Sequence, residues 1–168
     1  TRTGSNTGVL NFGDGGVDDA QDAEIIWHEY GHAILDNSGP ISFGGEPGAI
    51  HEGWGDYVAA TLSTTVPGDS RFYPAIGEWD AVSYNPGNPP FLRRVDTNKV
   101  YPRDLVRQVH TDGEIYSSCL WDIHESIGRD LANRIVFSAN FLLPSTPTMP
   151  DAAAAILMGR GITPVRIE

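Results

Sequence analysis

Two histidines four residues apart constrain this chain more than any other feature. They lie in the segment His28-Glu29-Tyr30-Gly31-His32. On a helix, that spacing places both imidazoles on one face, where they can share one Zn²⁺ ion. Glu29 is offset beside that face, which suits it to accept a proton from a water molecule at the metal. The alternative is a buried helix that merely contains two histidines.

A catalytic zinc site needs a third protein ligand and keeps one position open. Glu52 follows His32 by 20 residues, which is enough chain for a second helix to fold back beside the first. Asp56 shares the helical face of Glu52 and can accept the outer N–H of a liganding histidine. His51 competes as third ligand, but it lies about 100° around the helix. Alternatively, Glu52 and Asp56 are ordinary solvated charges.

Capping residues, glycine and proline predict the surrounding elements. A first helix is predicted from Asp18 or Asp19 to about Asp36. Four further helices are predicted, over 48–63, 113–127, 130–143 and 150–158. A short strand is predicted over 9–12, and the proline-rich stretch 65–105 predicts no regular element. Two glycines inside the second helix, Gly53 and Gly55, indicate close approach to another backbone.

These elements predict a mainly α-helical fold with a small β remnant at the N-terminus. The chain is expected to form a single unit over residues 1–168. Its predicted parts are a remnant of an N-terminal β region over 1–16, metal-binding helices within 17–64, a loop-rich substrate segment over 65–112 and a helical subdomain over 113–168. The first residue is not Met and no leader pattern follows it, so we expect a processed or excised part of a longer protein.

The charge balance excludes some classes of partner. The chain has 22 acidic and 11 basic residues, for a formal net charge of -11. Nucleic acids and anionic membrane surfaces both require clustered Lys and Arg, so neither is expected to bind. No apolar run approaches the roughly 20 residues that span a bilayer. Cys119 is the one cysteine, so no intrachain disulfide can form, and we expect a buried thiol there.

Together, the two histidine- and glutamate-bearing segments resemble the centre of the thermolysin-like and fungalysin-like zinc peptidases, the branch whose third ligand is glutamate. The matching residues are His28-Glu29-Tyr30-Gly31-His32, Ala49-Ile50-His51-Glu52-Gly53-Trp54-Gly55-Asp56 and the strand-end turn Phe12-Gly13-Asp14-Gly15. The resemblance covers about Thr3 to Met158. It implies a zincin-like active-site helix, Zn²⁺ bound by His28, His32 and Glu52, Glu29 as general base, and Asp56 behind a liganding histidine.

The same resemblance gives roles to residues beyond the two helices. In Val109-His110-Thr111-Asp112-Gly113 it implies that His110, just before a helix, stabilises the transition state. Asp104 is the nearest candidate for the carboxylate that orients His110. In Phe91-Leu92-Arg93-Arg94, the resemblance implies that Arg93 contacts the substrate carbonyl, with Arg94 as the alternative. The expected apolar pocket for the side chain after the scissile bond comprises Leu92, Ile25 and Ile76.

This chain also departs from the family pattern. The active-site tyrosine of the family falls near Phe43, which has no hydroxyl. Only Glu24 and Glu78 correspond to calcium-binding carboxylates of the family. Since calcium takes six to eight oxygen ligands, the sequence does not predict a calcium site.

The resulting hypothesis is a secreted zinc-dependent endopeptidase that hydrolyses peptides or proteins. The resemblance implies that the parent protein also has an N-terminal β domain and a propeptide. The alternative is a non-catalytic, zinc-stabilised module or an inactive part of a decayed peptidase. Glu29 argues against that alternative, because a purely structural zinc site needs no general base, whereas Phe43 argues for it. An aminopeptidase is a third possibility, for which the sequence offers no candidate group to bind a free amino terminus.

Overall fold

Helices form most of the part of the chain that the computed structural model describes, residues 2–3, 9–13, 16–39, 41–85 and 87–159. They are α1 (Ala23–Ser38), α2 (Gly45–Ser63), α3 (Val109–Ile127), α4 (Arg129–Asn140) and α5 (Met149–Gly159). The prediction of a mainly helical chain is therefore confirmed. None of the helices in these ranges combines the length and apolarity needed to cross a bilayer.

The first helix begins later than predicted. Asp18 caps only a short 3-10 turn, Asp19–Gln21, by accepting a hydrogen bond from the backbone of Ala20. Asp22 then caps α1 by accepting from the first backbone N–H groups of that helix. Asp18 and Asp22 each cap an element of their own, so the prediction that Asp18 or Asp19 starts the long helix is wrong.

Two small antiparallel pairs of strands accompany the helices. β1 (Arg2–Thr3) pairs with β2 (Leu10–Asn11), which confirms the expected β remnant near the N-terminus. β3 (Ala75–Ile76) pairs with β4 (Arg93–Arg94) inside the stretch where no element was predicted. Two-residue strands are too short to show an alternating pattern, which is why the sequence does not reveal them. The predicted turn at Asp14-Gly15 lies outside the described residues.

The third helix starts one turn earlier than predicted, at Val109 in place of Gly113. Gln108 is the reason, because its side-chain oxygen accepts a hydrogen bond from the backbone N–H of Thr111 and caps the helix. His110 therefore lies in the first turn of α3 and not before the helix. Further along α3, Cys119 is exposed, so the expectation of a buried thiol is wrong.

α2 is the central helix and contacts both α1 and α3. Trp54, at its centre, is fully buried and donates a hydrogen bond of 2.8 Å from Nε1 to the carbonyl oxygen of Gly31 in α1. On the other side, a Cβ on Gly53 would collide with the backbone carbonyl oxygen of Gly113 in α3. The predicted close approach of another backbone to α2 is therefore confirmed. This packing brings residues from three helices to one place.

Candidate metal centre and cleft

Two imidazoles and one carboxylate converge between α1 and α2. Nε2 of His28 lies 3.2 Å, and Nε2 of His32 lies 3.8 Å, from Oε2 of Glu52. Both histidines are buried. Ligands of a tetrahedral zinc ion, at roughly 2.0–2.2 Å from the metal, lie about 3.3–3.5 Å from one another. Both distances from the Glu52 oxygen are therefore close to the spacing that such an ion requires.

The Glu52 carboxylate also lacks a conventional partner. Among the described residues, Oε2 of Glu52 has no hydrogen-bond partner, although it is shielded from solvent. Three imidazole nitrogens surround it, at 3.2 Å from His28, 3.8 Å from His32 and 3.3 Å from His110. An uncompensated buried carboxylate oxygen is costly, and a shared cation removes that cost. This observation fits a metal ion held by His28, His32 and Glu52.

Glu29 is a competing ligand for the same ion. One donor atom each from His28, Glu29 and His32 lies within 4.8 Å of the other two. Glu52 is favoured as the ligand because its oxygen lies closer to both imidazoles. Glu29 is then left as a buried carboxylate beside the centre, and burial raises its pKa. A carboxylate with a raised pKa is suited to accept a proton near neutral pH.

Behind His28 lies the carboxylate of Asp56. Oδ1 of Asp56 is 2.8 Å from Nδ1 of His28, on the other side of the ring from Glu52. Burial lowers the pKa of His28, but Asp56 and Glu52 outweigh it and raise the pKa to about 9. Arg93 donates two hydrogen bonds to Asp56, of 2.7 Å from Nε and 2.8 Å from Nη2. Asp56 thus connects one histidine of the centre to Arg93.

Behind His32 lies the ring of His51. The two Nδ1 atoms are 2.7 Å apart, and Nε2 of His51 lies 3.0 Å from Oδ1 of Asp36. Burial lowers the pKa of His51, and it lowers that of His32 to about 3. Phe43 stacks on the His51 ring with centroids 4.5 Å apart. His51 therefore lies behind His32, between that ring and Asp36. The sequence had left His51 open as an alternative metal ligand.

A cleft of about 570 Å³ opens beside the centre. Its walls contain the predicted site residues except Asp56, Asp104 and Ile76. The lining residues are Asp19, Ile25, His28, Glu29, His32, Phe43, Glu52, Asp80, Leu92, Arg93 and His110. The β3–β4 pair explains why Leu92 and Arg93 reach this cleft, since it joins their segment to Ile76. Ile76 itself is fully buried.

His110 reaches the cleft from the first turn of α3. Its Nε2 lies 3.3 Å from Oε2 of Glu52, and its Nδ1 lies 2.9 Å from Nε2 of Gln108. Because the oxygen of the Gln108 amide already accepts from Thr111, the amide nitrogen donates to Nδ1 of His110. The His110 proton then resides on Nε2, facing the cleft.

The sequence analysis did not identify Gln108 as the partner of His110. Its position just before a helix was a signal that could have identified it as a capping residue. Asp104 accepts hydrogen bonds from Arg103 and from the backbone of Val100. The partner of His110 at Nδ1 is Gln108. Orientation of His110 by Asp104 therefore stays a prediction, to which these contacts add no support.

Glu24 lies in a second cluster of carboxylates, near the start of α1. It accepts hydrogen bonds from the hydroxyl of Ser63 and the backbone N–H of Gly77. Burial, followed by its hydrogen bond to Glu78, raises the pKa of Glu24 to about 8. Glu24 can therefore hold a proton near neutral pH.

Comparison with known proteins finds similarity to metallopeptidases. The sequence profile of the fungalysin metallopeptidase (M36) family matches residues 12–162. "Extracellular metalloproteinase 2" of Trichophyton tonsurans is 25% identical over an alignment of 167 positions, which covers 81% of this chain and 26% of that protein. "Extracellular metalloproteinase MEP" of Fusarium vanettenii is 25% identical over an alignment of 175 positions, which covers 83% of this chain and 27% of that protein. The chain spans about a quarter of the length of these curated relatives.

Proposed function

The chain belongs to the fungalysin metallopeptidase family, and from that membership we propose that it carries the active centre of a secreted, zinc-dependent endopeptidase. One observation carries the proposal: two imidazole nitrogens meet an unpartnered carboxylate oxygen, with Glu29 buried beside them in an open cleft. Structural zinc sites are closed, whereas catalytic ones keep an open position. Secretion is inferred from the relatives, which are named extracellular.

We assign the metal to His28, His32 and Glu52. Two histidines and one glutamate are a ligand set typical of catalytic zinc in peptidases. When bound, zinc polarises a carbonyl group and lowers the pKa of a coordinated water molecule toward about 7. Asp56 and His51 hold the outer nitrogens of the two liganding histidines, which supports one fixed ring orientation for each.

Glu29 moves the proton in the proposed reaction. Its carboxylate accepts a proton from water as the water oxygen bonds to the peptide carbonyl carbon. The same carboxyl then donates that proton to the amide nitrogen as the C–N bond breaks, which leaves a carboxylic acid and an amine. The pKa of Glu29, raised by burial, supports both transfers, because an acid–base group works best near the operating pH.

His110 and Arg93 act on the substrate oxygen in this proposal. His110 presents an N–H at Nε2, since Gln108 donates to its other ring nitrogen. A neutral donor fixed in this way stabilises the negative charge that develops on the carbonyl oxygen. Arg93 lines the same cleft while two of its donors are bound to Asp56. A guanidinium anchored along one edge keeps its remaining donors for a substrate carbonyl.

A Glu29→Gln variant tests the proposal. Zinc content by elemental analysis and hydrolysis of casein, with and without a chelator, are measured for the wild type, for Glu29→Gln and for the exposed-site control Glu125→Gln. We expect Glu29→Gln to bind zinc like the wild type but to lose at least about 100-fold in hydrolysis. The control retains both properties. A wild-type protein that binds one zinc ion but cleaves no peptide contradicts the enzyme and supports a non-catalytic module.

A further inference from the structure

Asp80 borders the same cleft as the metal-binding residues, at a fixed place. It begins the 3-10 turn Asp80–Ser83, and its backbone N–H donates a hydrogen bond of 3.1 Å to Oδ2 of Asp22. Asp22 also caps α1, the helix that carries His28. The position of Asp80 is therefore fixed relative to the proposed metal centre by one shared carboxylate.

Among the described residues, no basic side chain forms an ion pair with the buried carboxylate of Asp80. Asp80 is 6% exposed, and its Oδ1 has no hydrogen-bond partner within the described ranges. Burial raises the pKa of Asp80 to about 6, and the charge of Asp19, its hydrogen bond to Asp80 and the charge of Asp22 add to the rise. At neutral pH the side chain is still mostly ionised. A buried carboxylate in acidic surroundings is stabilised by a cation in the adjoining cavity.

Two apolar side chains line the same cleft as this charge. Ile25 and Leu92 line the cleft together with Asp80. Gly77, three residues before Asp80, lies against both: a Cβ built on it would be 3.0 Å from Leu92 and 3.1 Å from Ile25. The wall thus passes from aliphatic to acidic over a few residues. Lysine and arginine have the same division, with an aliphatic stem and a cationic end.

We propose that Asp80, with Ile25 and Leu92, forms an anionic subsite of the cleft that binds a lysine or arginine side chain of the substrate close to the scissile bond. This inference rests on the proposed peptidase function and names its substrate class. It also revises the expectation of a purely apolar pocket. A leucine side chain fills the aliphatic part of the subsite but leaves the carboxylate uncompensated, so the subsite discriminates by charge.

The test uses zinc-loaded, full-length protein and peptides that differ at a single position. That position, on either side of the cleaved bond in turn, holds Arg, Lys, norleucine or Glu. We expect kcat/KM to be at least about tenfold higher for Arg or Lys than for norleucine at one of the two positions. We expect Asp80→Asn to reduce that ratio at least fivefold. Asp122→Asn, which removes an exposed charge on α3 outside the cleft, keeps the wild-type ratio.

Three results would contradict the proposed subsite. One is a wild type that cleaves the norleucine and Arg peptides equally well, and this result stands even when Asp80→Asn fails to fold. Another is a preference for Arg that persists in folded Asp80→Asn. A third is loss of the preference in millimolar calcium, which identifies the carboxylates as a metal-ion site.

Binding separates this inference from the proposed function. Fluorescence anisotropy of the same peptides is measured on zinc-loaded Glu29→Gln, with and without Asp80→Asn. Tighter binding of the Arg peptide that depends on Asp80 supports the subsite even if the wild type cleaves nothing, a result that removes only the proposed activity. Equal binding of the Arg and norleucine peptides overturns the subsite, whether or not the wild type is an active peptidase.

Discussion

Nδ1 of His51 lies 2.7 Å from Nδ1 of His32, whose other nitrogen faces Glu52. Asp36 accepts the proton on Nε2 of neutral His51, so Nδ1 of His51 is left as an acceptor. His32 must then carry its own proton on Nδ1. Its Nε2 keeps a free lone pair directed at the centre, as a metal ligand requires.

Replacing His51 is expected to weaken metal binding without removing a ligand. In His51→Leu the acceptor for His32 is lost, and we expect zinc affinity to fall by about 10–100-fold. His51→Asn keeps an acceptor oxygen and is expected to lose less. Zinc affinity is measured by competition with a chelator. The control is His124→Leu, which removes a buried histidine bonded to Thr61 and absent from the cleft. Equal affinities for all four proteins would refute the role of His51.

Glu24 predicts a specific dependence of stability on pH. Its pKa is raised in the folded protein from an ordinary 4.5 to about 8, so between these values the folded state binds more protons than the unfolded state. The free energy of unfolding contributed by Glu24 therefore falls as pH rises from about 4.5 to about 8. We expect Glu24→Gln, which stays neutral, to have a higher Tm than the wild type at pH 8 and little advantage at pH 4.5.

Thermal unfolding from pH 4.5 to 8.5 measures this difference. Glu125→Gln removes an exposed carboxylate from α3 and serves as the matched control, with a Tm difference from the wild type that does not grow with pH. If the difference between Glu24→Gln and the wild type is the same at pH 4.5 and pH 8, Glu24 does not hold a proton in the folded protein.

α2 and α3 approach so closely at Gly53 that a larger side chain does not fit there. A Cβ there meets the carbonyl oxygen of Gly113 and lies 3.1 Å from the backbone nitrogen of Ser117. We expect Gly53→Ala to destabilise the protein by about 1–3 kcal/mol, even though alanine gains up to about 1 kcal/mol in helix propensity. Urea unfolding measures the change. Gly39→Ala is the control: Gly39 has extended backbone, with no atom within 4 Å of an added Cβ.

The parts of the site that depend on local spacing were predictable from the sequence. His28 and His32 share a helix face by their separation alone, and Glu52 lies on the neighbouring helix as expected. Contacts that join distant segments were not predictable. Asp36 is four residues from His32, so the sequence could have indicated that it lies near the centre. Its hydrogen bond to His51 was not predictable, because it depends on where α2 places His51.

The residues that line the cleft show the same limit of prediction from sequence. Leu92 and Arg93, which were predicted to bind the substrate, line the cleft, and their contact with a substrate stays a prediction. Asp80 was missed because nothing within its own segment indicates which wall it faces. The hydrogen bond to Asp22, 58 residues earlier in the chain, determines that wall. A resemblance based on short motifs therefore locates the candidate metal ligands better than it locates the other residues that line the cleft.

Gly55 lies directly beneath the ring of His28, where a Cβ would come within 2.7 Å of Nδ1. Gly31, inside the histidine motif, faces Gly55, and a Cβ on Gly31 would be 3.0 Å from the Cα of Gly55. An attempt to transplant this centre into another helical protein must therefore copy the two glycines along with the histidines and the glutamate. With alanines in their place, the host helices would be held apart, and the three donor atoms could not meet around one ion.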